Sequence, residues 1–246
     1  MDNQINQLSL VIPCKNDEKI LIKKIPYLID FCKNYIKNFE ILIILNGGNK
    51  KNTLTLINFI ENHNIQNIDL ITIDTVGKGA AVKKGLNSAK YNNILISDAD
   101  FSVGIEHILK FLDEKGDFLG DFVVGSRKMK TSNISKTPFS RIITGFVYTA
   151  LVKSSLGIGV SDTQCGFKVI NIQNFKTCKD FTKEGFSYDV ELFFLAKQEE
   201  IKVIEIPVDY IHDEKSNVSI SSDTITMAKD LLIILWEYRI RKLLKR

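Results

Sequence analysis

Two aspartates separated by one residue, Asp98 and Asp100, are the strongest chemical signal in this chain of 246 residues. They follow an apolar run, Ile94 to Ile96, that is typical of a buried strand. Residues i and i+2 of an extended chain point to the same side, so both carboxylates are expected to face one site. Carboxylate oxygens suit Mg²⁺ or Mn²⁺, which often complete their coordination with substrate phosphates. The pair predicts a metal-dependent site for a diphosphate-bearing substrate; a polar loop after a strand is the alternative.

A second signal is the segment Gly77-Lys78-Gly79, which precedes residues with helical spacing, Val82 and Leu86. A tight turn that leads into a helix presents backbone N–H groups and the positive end of the helix dipole to an anion. Lys78 would add a positive charge. An ordinary loop with a solvated lysine explains the same residues equally well.

Strands and helices alternate along the chain, which indicates an α/β fold with a mostly parallel central sheet flanked by helices. The predicted strands are Leu8–Pro13, Glu40–Leu45, Asp69–Ile73, Ile94–Ile96, Phe122–Ser126 and Lys202–Pro207. The first predicted helix begins near Asn16 or Asp17 and ends near Lys37. The other predicted helices are Asn52–His63, the residues after Gly79, Glu106–Leu112, Phe186–Glu199 and Thr224–Arg246. Ligands of open α/β sheets bind at the carboxyl ends of the strands. The loops expected there are Pro13–Asp17, Asn46–Gly48, Gly77–Gly79, Asp98–Asp100 and Ser126–Arg127.

Composition limits the functions that are open to this chain. Hydrophobic residues make up 44% and charged residues 25%, which is ordinary for a globular protein, and the net charge of +4 permits anionic partners without pointing to nucleic acid. The four cysteines and three histidines show no metal-binding spacing. The N-terminus lacks a signal pattern, and no apolar run approaches the ~20 residues needed to span a bilayer. We expect a cytoplasmic protein.

The second half of the chain contains two amphipathic stretches. Pro138–Leu156 is aromatic and basic and suits either core packing or contact with lipid. The terminal helix turns strongly basic after Trp236. Its last residues favour the helix dipole and solubility, but they also suit an interfacial helix on anionic lipid, which predicts peripheral contact with the cytoplasmic face of a membrane. We expect one domain, with a nucleotide-sugar-binding half in residues 1–128 and an acceptor-side half in residues 129–246.

Four motifs in this order define a resemblance that spans about Leu8 to about Leu244. They are Gly77-Lys-Gly-Ala-Ala-Val82, Ser97-Asp-Ala-Asp-Phe-Ser102, Asp162-Thr-Gln-Cys-Gly-Phe-Lys168 and Phe186-Ser-Tyr-Asp-Val-Glu-Leu192. Together they resemble the family 2 inverting glycosyltransferases with the GT-A fold, which is Rossmann-like. Within that family they are most similar to the dolichyl-phosphate glucose and mannose synthases and their bacterial polyprenyl-phosphate relatives.

The resemblance implies a role for each position. The base and ribose would contact Pro13, Cys14, Asn16 and Asp17, and the nucleotide side would be lined by Gly77, Lys78, Gly79, Asp98 and Ala99. Asp100 would bind the metal, and Arg127 would lie near the active crevice. The acceptor and metal side would contain Asp162, Gln164, Asp189 and Glu191, and a loop that closes over the diphosphate would contain Lys215, Ser216 and Val218.

Two departures from the family pattern leave the donor base open. Lys15, Asn16 and Asp17 replace the usual Tyr-Asn-Glu, and the turn at Asn46 lacks the usual Asp-Asp-Gly-Ser. Asn46 could still pair with the edge of a base. UDP-glucose and GDP-mannose are both possible donors.

The implied reaction is attack of an acceptor oxygen on the anomeric carbon, which expels a nucleoside diphosphate and inverts the configuration. A hydroxyl acceptor needs a carboxylate base, for which Asp162 and Asp189 are the candidates, whereas a lipid phosphate is already ionised. On a helix Asp189 and Glu191 cannot face the same point.

Three other interpretations remain. The acceptor could be a sugar hydroxyl in polysaccharide synthesis. A sugar-phosphate nucleotidyltransferase would want a glycine-rich basic signature after the first strand, which Pro13-Cys-Lys-Asn does not supply. The altered turn at Asn46 is also compatible with a chain that binds nucleotides but is an inactive relative.

Overall fold

The computed structural model describes residues 4–129, 131–132, 134–135, 152–153, 157, 159–211, 226 and 229–237. Its strands are β1 (Ile5–Cys14), β2 (Ile36–Leu45), β3 (Ile68–Thr72), β4 (Asn93–Ile96), β5 (Phe122–Ser126), β6 (Ile134–Ser135), β7 (Lys168–Asn171), β8 (Val203–Pro207) and β9 (Tyr210–Ile211). Its α-helices are α1 (Glu18–Tyr35), α2 (Lys50–Asn62), α3 (Lys78–Ser88) and α4 (Tyr188–Gln198), with 3-10 helices at Ile105–Phe111 and Lys176–Lys179. Residues 229–237 are helical as well.

Seven strands form the central sheet in the order β3-β2-β1-β4-β7-β5-β8. All neighbouring pairs are parallel except those of β7, which runs antiparallel to both β4 and β5. The expected mostly parallel α/β sheet is confirmed. Strands from both halves of the sequence enter this one sheet, because β7 and β8 flank β5.

Hydrophobic side chains cover both faces of the sheet. Successive residues of a strand point to opposite faces, so Ile41 and Ile43 of β2 belong to one buried cluster and Leu42 and Ile44 to the other. The first cluster includes the apolar side of α1, and the second includes α3 and α4. Helices therefore lie on both faces, which explains why the strands read as continuous apolar runs.

Several predicted element bounds differ from the structure by a few residues. Helix α1 begins after the N-cap Asp17 as predicted, but it ends at Tyr35 because β2 begins at the next residue. The segment Ile105–Phe111 forms a 3-10 helix and not the predicted α-helix. Helix α4 begins at Tyr188, two residues later than the motif suggested.

Two predicted regions lie mostly or wholly outside the described residues. Pro138–Leu156 is described only at residues 152–153, and the basic residues after Trp236 are not described. Among the residues that are described, no helix is both long and apolar enough to cross a membrane.

Candidate active site

The predicted crevice lies where the parallel strands end. Because β7 is antiparallel to its neighbours, its first residue and the turn before it arrive at the same edge of the sheet as the ends of β4 and β5. A small cavity opens there. It is lined by Ser97, Asp98, Ser102, Val103, Arg127, Cys165, Gly166, Phe167 and Tyr210. The Asp-x-Asp motif, Arg127 and the Asp162–Lys168 motif, which are distant in sequence, thus meet at one edge.

Asp98 is the exposed carboxylate of this crevice. Its Oδ1 lies 2.5 Å from Nζ of Lys78, and 41% of its side chain remains exposed, against 16% for Lys78. Reduced hydration at the floor of the crevice would raise the pKa of the Asp98 carboxyl, but Lys78 lowers it below its usual range, with smaller contributions from Lys168 and Arg127. Asp98 is therefore an anion whose charge is balanced by Lys78.

Asp100 takes a different geometry from the one that the sequence predicts. The chain does not continue extended after β4, because the N–H of Phe101 donates to the carbonyl of Asp98 at 3.1 Å and closes a turn. Phe101 has a positive φ of 49°. Within this turn Asp100 accepts from the N–H and the hydroxyl of Ser102, at 2.9 and 2.6 Å. The expected extended i, i+2 arrangement is wrong, and Ala99 between the two aspartates is buried.

The oxygens of Asp98 and Asp100 fit a hard divalent cation. A carboxylate has about four acceptor positions, so the bonds to Lys78 and Ser102 leave further lone pairs on both side chains. No group of three or more His, Cys, Asp or Glu residues that could enclose a metal occurs among the described residues. A Mg²⁺ or Mn²⁺ site with one or two carboxylates and substrate phosphates needs no such group.

The Gly77-Lys78-Gly79 turn is partly covered by the chain before α4. A Cβ on Gly77 would lie 2.2 Å from the carbonyl oxygen of Glu184, and a Cβ on Gly79 2.3 Å from that of Lys183. The N–H of Ala80 donates to Glu184 at 3.1 Å. The glycines are therefore needed for the close approach of this loop. The N–H of Ala80 is used within the protein and is not free to bind an anion. The role of Gly77, Lys78 and Gly79 on the nucleotide side stays a prediction.

Asn46 at the end of β2 supports the same turn. Its side-chain N–H donates to the carbonyl of Gly77 at 2.7 Å, and the residue is only 3% exposed. The side-chain Oδ1 is buried and accepts no hydrogen bond within the described part of the chain. This oxygen is the group with which Asn46 could recognise a donor.

The loop after β1 is held against the loop after β2. Asn16 has a positive φ of 69°, and its Oδ1 accepts the N–H of Asn49 at 2.9 Å. Burial raises the pKa of the Cys14 thiol to about 12, so this residue is an uncharged core group. Pro13 is half-buried beside it, and Asp17 begins α1. Asn16 is the exposed residue of this loop, whereas Cys14 belongs to the core.

Arg127 and Asp162 form a bidentate pair in which the carboxylate is fully buried and the Arg127 side chain is 25% exposed. Arg127 Nε and Nη2 donate to the two Asp162 oxygens at 2.7 and 3.0 Å, and the Arg127 and Gln164 backbone N–H groups donate at 3.1 and 3.2 Å. Asp162 is 0% exposed, and Arg127 holds the pKa of its carboxyl well below the usual range despite burial. A carboxylate so paired is a poor general base. The geometry contradicts that candidate role and fits the positioning of Arg127.

Glu205 and Tyr210 complete the surroundings of this pair, and the sequence analysis missed both. Glu205 of β8 accepts the N–H groups of Ser161 and Asp162 at 2.7 and 3.0 Å. The guanidinium carbon of Arg127 lies 5.2 Å from the centre of the Tyr210 ring, a cation–π distance. A glutamate within the apolar run Val203–Pro207 was the available signal, because a charge in a strand requires a partner.

Asp189, the second candidate base, is also paired. Its Oδ1 lies 2.7 Å from Nζ of Lys168, and the two side chains are 3% and 0% exposed. Glu191 instead accepts the N–H groups of Thr182 and Lys183 at 2.8 and 2.9 Å. The prediction that these carboxylates face different points is confirmed. Neither is placed to contact a substrate, which contradicts their expected roles on the acceptor and metal side.

Four predicted residues of the second half of the chain remain: Gln164, Lys215, Ser216 and Val218. Gln164 is half-buried and donates its side-chain N–H to the carbonyl of Thr163 at 3.4 Å. Lys215 and Ser216 lie outside the described residues, as does Val218.

A mostly parallel α/β sheet with carboxylates and cations at its carboxyl edge is the architecture of GT-A glycosyltransferases. The structure is similar to crystal structures of glucosyl-3-phosphoglycerate synthase from Mycobacterium tuberculosis. The complex of that protein with UDP matches with a TM-score of 0.66 and 12% identity over 94% of this chain and 80% of the other. The complex with Mn²⁺, UDP-glucose and glycerol 3-phosphate matches with a TM-score of 0.65, 12% identity and the same coverage. At this identity the likeness shows the fold.

The family model of glycosyl transferase family 2 matches residues 9–178. The chain therefore belongs to this family and is a glycosyltransferase. It is 26% identical to the dolichyl-phosphate beta-glucosyltransferase of Mus musculus over 96% of this chain and 77% of the relative. It is 29% identical to the enzyme of that name from Dictyostelium discoideum over 94% and 74%. The Saccharomyces cerevisiae enzyme of that name is 26% identical over 94% and 75%.

Proposed function

We propose that this glycosyltransferase moves glucose from UDP-glucose to a polyprenyl phosphate of the dolichyl type, with inversion at the anomeric carbon. The donor and acceptor are those implied by relatives named dolichyl-phosphate beta-glucosyltransferase, which align with nearly the whole chain. The fold neighbour that was crystallised with UDP-glucose and Mn²⁺ supports the donor and the metal.

The choice of a lipid phosphate as the acceptor rests on one observation: both candidate bases are paired with cations. Asp162 is paired with Arg127 and Asp189 with Lys168, both at 2.7 Å, so neither carboxylate can readily take a proton from a hydroxyl. A phosphate monoester carries its negative charge already and needs no base. This favours a lipid phosphate over the sugar hydroxyl of a polysaccharide.

The reaction can be written from the groups at the crevice. An acceptor phosphate oxygen attacks the anomeric carbon of glucose and forms a C–O bond, while the bond to the β-phosphate oxygen of UDP breaks and its electrons stay on the diphosphate. Lys78 and Arg127 are the cations that stabilise the two phosphates, and Asp162 keeps the Arg127 guanidinium in place. One displacement converts an α-linked donor into a β-linked product.

Asp98 and Asp100 are the residues that would hold a divalent ion. Such an ion would act as a Lewis acid on the diphosphate of the donor. Asn46 Oδ1 has no partner among the described residues and would accept the N–H of the base. Lys215 and Ser216 would close over the diphosphate.

A transfer assay with the purified chain tests this function. Radiolabelled UDP-glucose and GDP-mannose are each offered with a polyprenyl phosphate or with a soluble oligosaccharide, in Mn²⁺ or in EDTA. We expect a β-linked glycolipid from UDP-glucose and polyprenyl phosphate alone, and no product in EDTA. Asp100→Asn is assayed in parallel. Its control variant is Asp69→Asn, at an exposed position of β3. Product on the oligosaccharide only would establish the hydroxyl acceptor, and no product from either donor on either acceptor would favour an inactive relative.

A lipid acceptor requires the chain to reach a membrane surface, and we assign this contact to the helix at residues 229–237. Leu231 and Ile234 face the core, whereas Leu232 and Trp236 are 68% and 66% exposed and Ile233 is 45% exposed. The following sequence contains Arg239, Arg241, Lys242, Lys245 and Arg246. An exposed apolar ridge beside basic residues suits the cytoplasmic surface of a membrane that contains anionic lipid.

Sedimentation with vesicles tests this contact. We expect the wild type to bind vesicles that contain anionic lipid, and Trp236→Ser to bind less. Leu54→Ser is the matched control, because Leu54 is 58% exposed on the distant helix α2. Equal binding by Trp236→Ser and the control would contradict the assignment.

A further inference from the structure

A buried ion pair lies directly behind the crevice. Lys168, the first residue of β7, is 0% exposed, and its Nζ lies 2.7 Å from Oδ1 of Asp189 on α4. Removing two charges from water is costly, and a well-packed apolar pair is often as stable as a buried ion pair. The pair is therefore weak evidence for stability by itself, and its other contacts indicate what it does.

The same ammonium group also holds the turn before β7. Nζ of Lys168 donates to the backbone carbonyl of Cys165. It lies 5.9 Å from the centre of the Tyr188 ring. One charged group thus joins the start of β7, the start of α4 and the Cys165 peptide. On the other side, the carbonyl of Phe167 accepts the N–H of Gly125 at 2.8 Å, so the turn is fixed at both ends.

The residue after Cys165 contacts the exposed carboxylate of the crevice. A Cβ on Gly166 would lie 2.1 Å from Oδ2 and 2.7 Å from Oδ1 of Asp98, so a larger residue here would force the Asp98 side chain to move. The carboxylate is therefore placed between the Gly166 backbone on one side and Nζ of Lys78 on the other, 2.5 Å from Oδ1. The position of the Gly166 peptide decides where Asp98 can point.

We propose that Lys168 and Asp189 are positioning residues that hold the Cys165–Gly166 peptide as a wall against Asp98 and so fix this carboxylate for the nucleotide sugar and its metal. The inference rests on the proposed function. It assigns to Asp189 a structural task in place of the base that the sequence predicts.

The test compares single and paired substitutions at Lys168 and Asp189. Lys168→Met and Asp189→Leu each leave one buried charge without its partner and are expected to lower the melting temperature. The double variant removes both charges and is expected to recover much of it, since an apolar pair of similar volume can replace a buried ion pair. The double variant keeps the fold but lacks the donor to the Cys165 carbonyl.

Three quantities are measured for each variant: the melting temperature, Mn²⁺-dependent affinity for UDP by calorimetry, and kcat/KM for transfer. We expect the double variant to lose about 10- to 100-fold in UDP affinity and kcat/KM, the usual effect of removing a group that orients a metal-binding side chain. Lys168→Arg should retain more affinity than Lys168→Met. Glu199→Gln, at the C-cap of α4, controls for destabilisation of that helix, because Glu199 accepts from Lys176 and Thr177 away from the crevice.

The outcomes separate this inference from the proposed function. Recovery of both melting temperature and UDP affinity in the double variant would mean that the pair serves stability alone, and would overturn the inference while leaving the function intact. A wild type that shows neither Mn²⁺-dependent UDP binding nor transfer would overturn the function itself. Recovery of stability without recovery of affinity would support the positioning role.

Discussion

The carboxylates of the first and second halves of the chain differ in exposure. Asp98 keeps 41% of its side chain exposed and faces the crevice beside Lys78, whereas the Asp162 and Asp189 side chains are 0% and 3% exposed beside Arg127 and Lys168. The first arrangement leaves an anion open to solvent. The second uses anions to fix a guanidinium and an ammonium group. Similar aspartates therefore divide into groups that can contact a substrate and groups that hold others in place.

The largest effect is expected at Asp100, which follows Asp98 in the crevice and would share the divalent ion with it. Asp100→Asn removes the charge that a divalent ion needs, and we expect kcat to fall about 1000-fold, because metal stabilisation of the leaving diphosphate contributes several kcal/mol. The melting temperature should change little, since the amide can still accept from Ser102. Transfer assays and thermal melts check both statements. A variant that retains more than a tenth of the activity would contradict the metal assignment.

Substitution of the buried Asp162 should lower the free energy of unfolding. Asp162→Asn leaves the Arg127 guanidinium without its counter-ion, and breaking a buried pair of this kind costs roughly 3 kcal/mol of unfolding free energy. Urea denaturation of the variant and of the exposed-site control Asp69→Asn measures the difference. Equal stability of the two variants would show that the pair adds nothing to the fold.

Gly166→Ala tests the contact between the two groups. A methyl at this position would overlap the Asp98 carboxylate, with 2.1 Å to Oδ2, and we expect a 10- to 100-fold loss of Mn²⁺-dependent UDP affinity. Gly159→Ala is the matched control, because nothing lies within 4 Å of its Cβ position. Calorimetry with UDP compares the two, and equal affinities would show that Asp98 can point elsewhere without consequence.

The pH dependence of stability should also separate Asp162 from an ordinary surface carboxylate. Its pKa is lowered in the folded chain by Arg127, so its contribution is present above the unfolded value of about 3.9 and is lost as the pH falls below it. Wild-type stability should therefore decline from about pH 4 downward, and Asp162→Asn should decline less. Parallel slopes for the two proteins between pH 5 and pH 3 would rule out this linkage.

The smallest effect is expected at Glu191, which neighbours Asp189 but points away from it. Glu191→Gln weakens the bonds to the N–H groups of Thr182 and Lys183, and we expect a loss of about 1 kcal/mol in stability with kcat little changed. Urea denaturation and the transfer assay measure these. A collapse of kcat at full stability would return Glu191 to the active site.

The sequence by itself determined the elements and the edge of the sheet at which the site lies. Apolar runs ending in polar or glycine residues located β1 to β5 and β8, and the alternation with helices implied a parallel sheet whose carboxyl ends share one edge. The Asp98-x-Asp100 pair after β4 could be assigned to that edge because a strand and the loop that follows it are local features.

The tertiary structure alone decided which charges meet and which are buried. The placement of β7 between β4 and β5, antiparallel to both, depends on pairing across long sequence separations, and this brings Asp162 and Gly166 to the crevice. Asp162 lies 35 residues from Arg127, and Asp189 lies 21 residues from Lys168. A buried carboxylate is stable only beside such a partner, and no local pattern names it. The sequence therefore assigned Asp98 and Asp100 to this edge of the sheet, and the fold determined which acidic residues are buried beside a cation and which remain accessible.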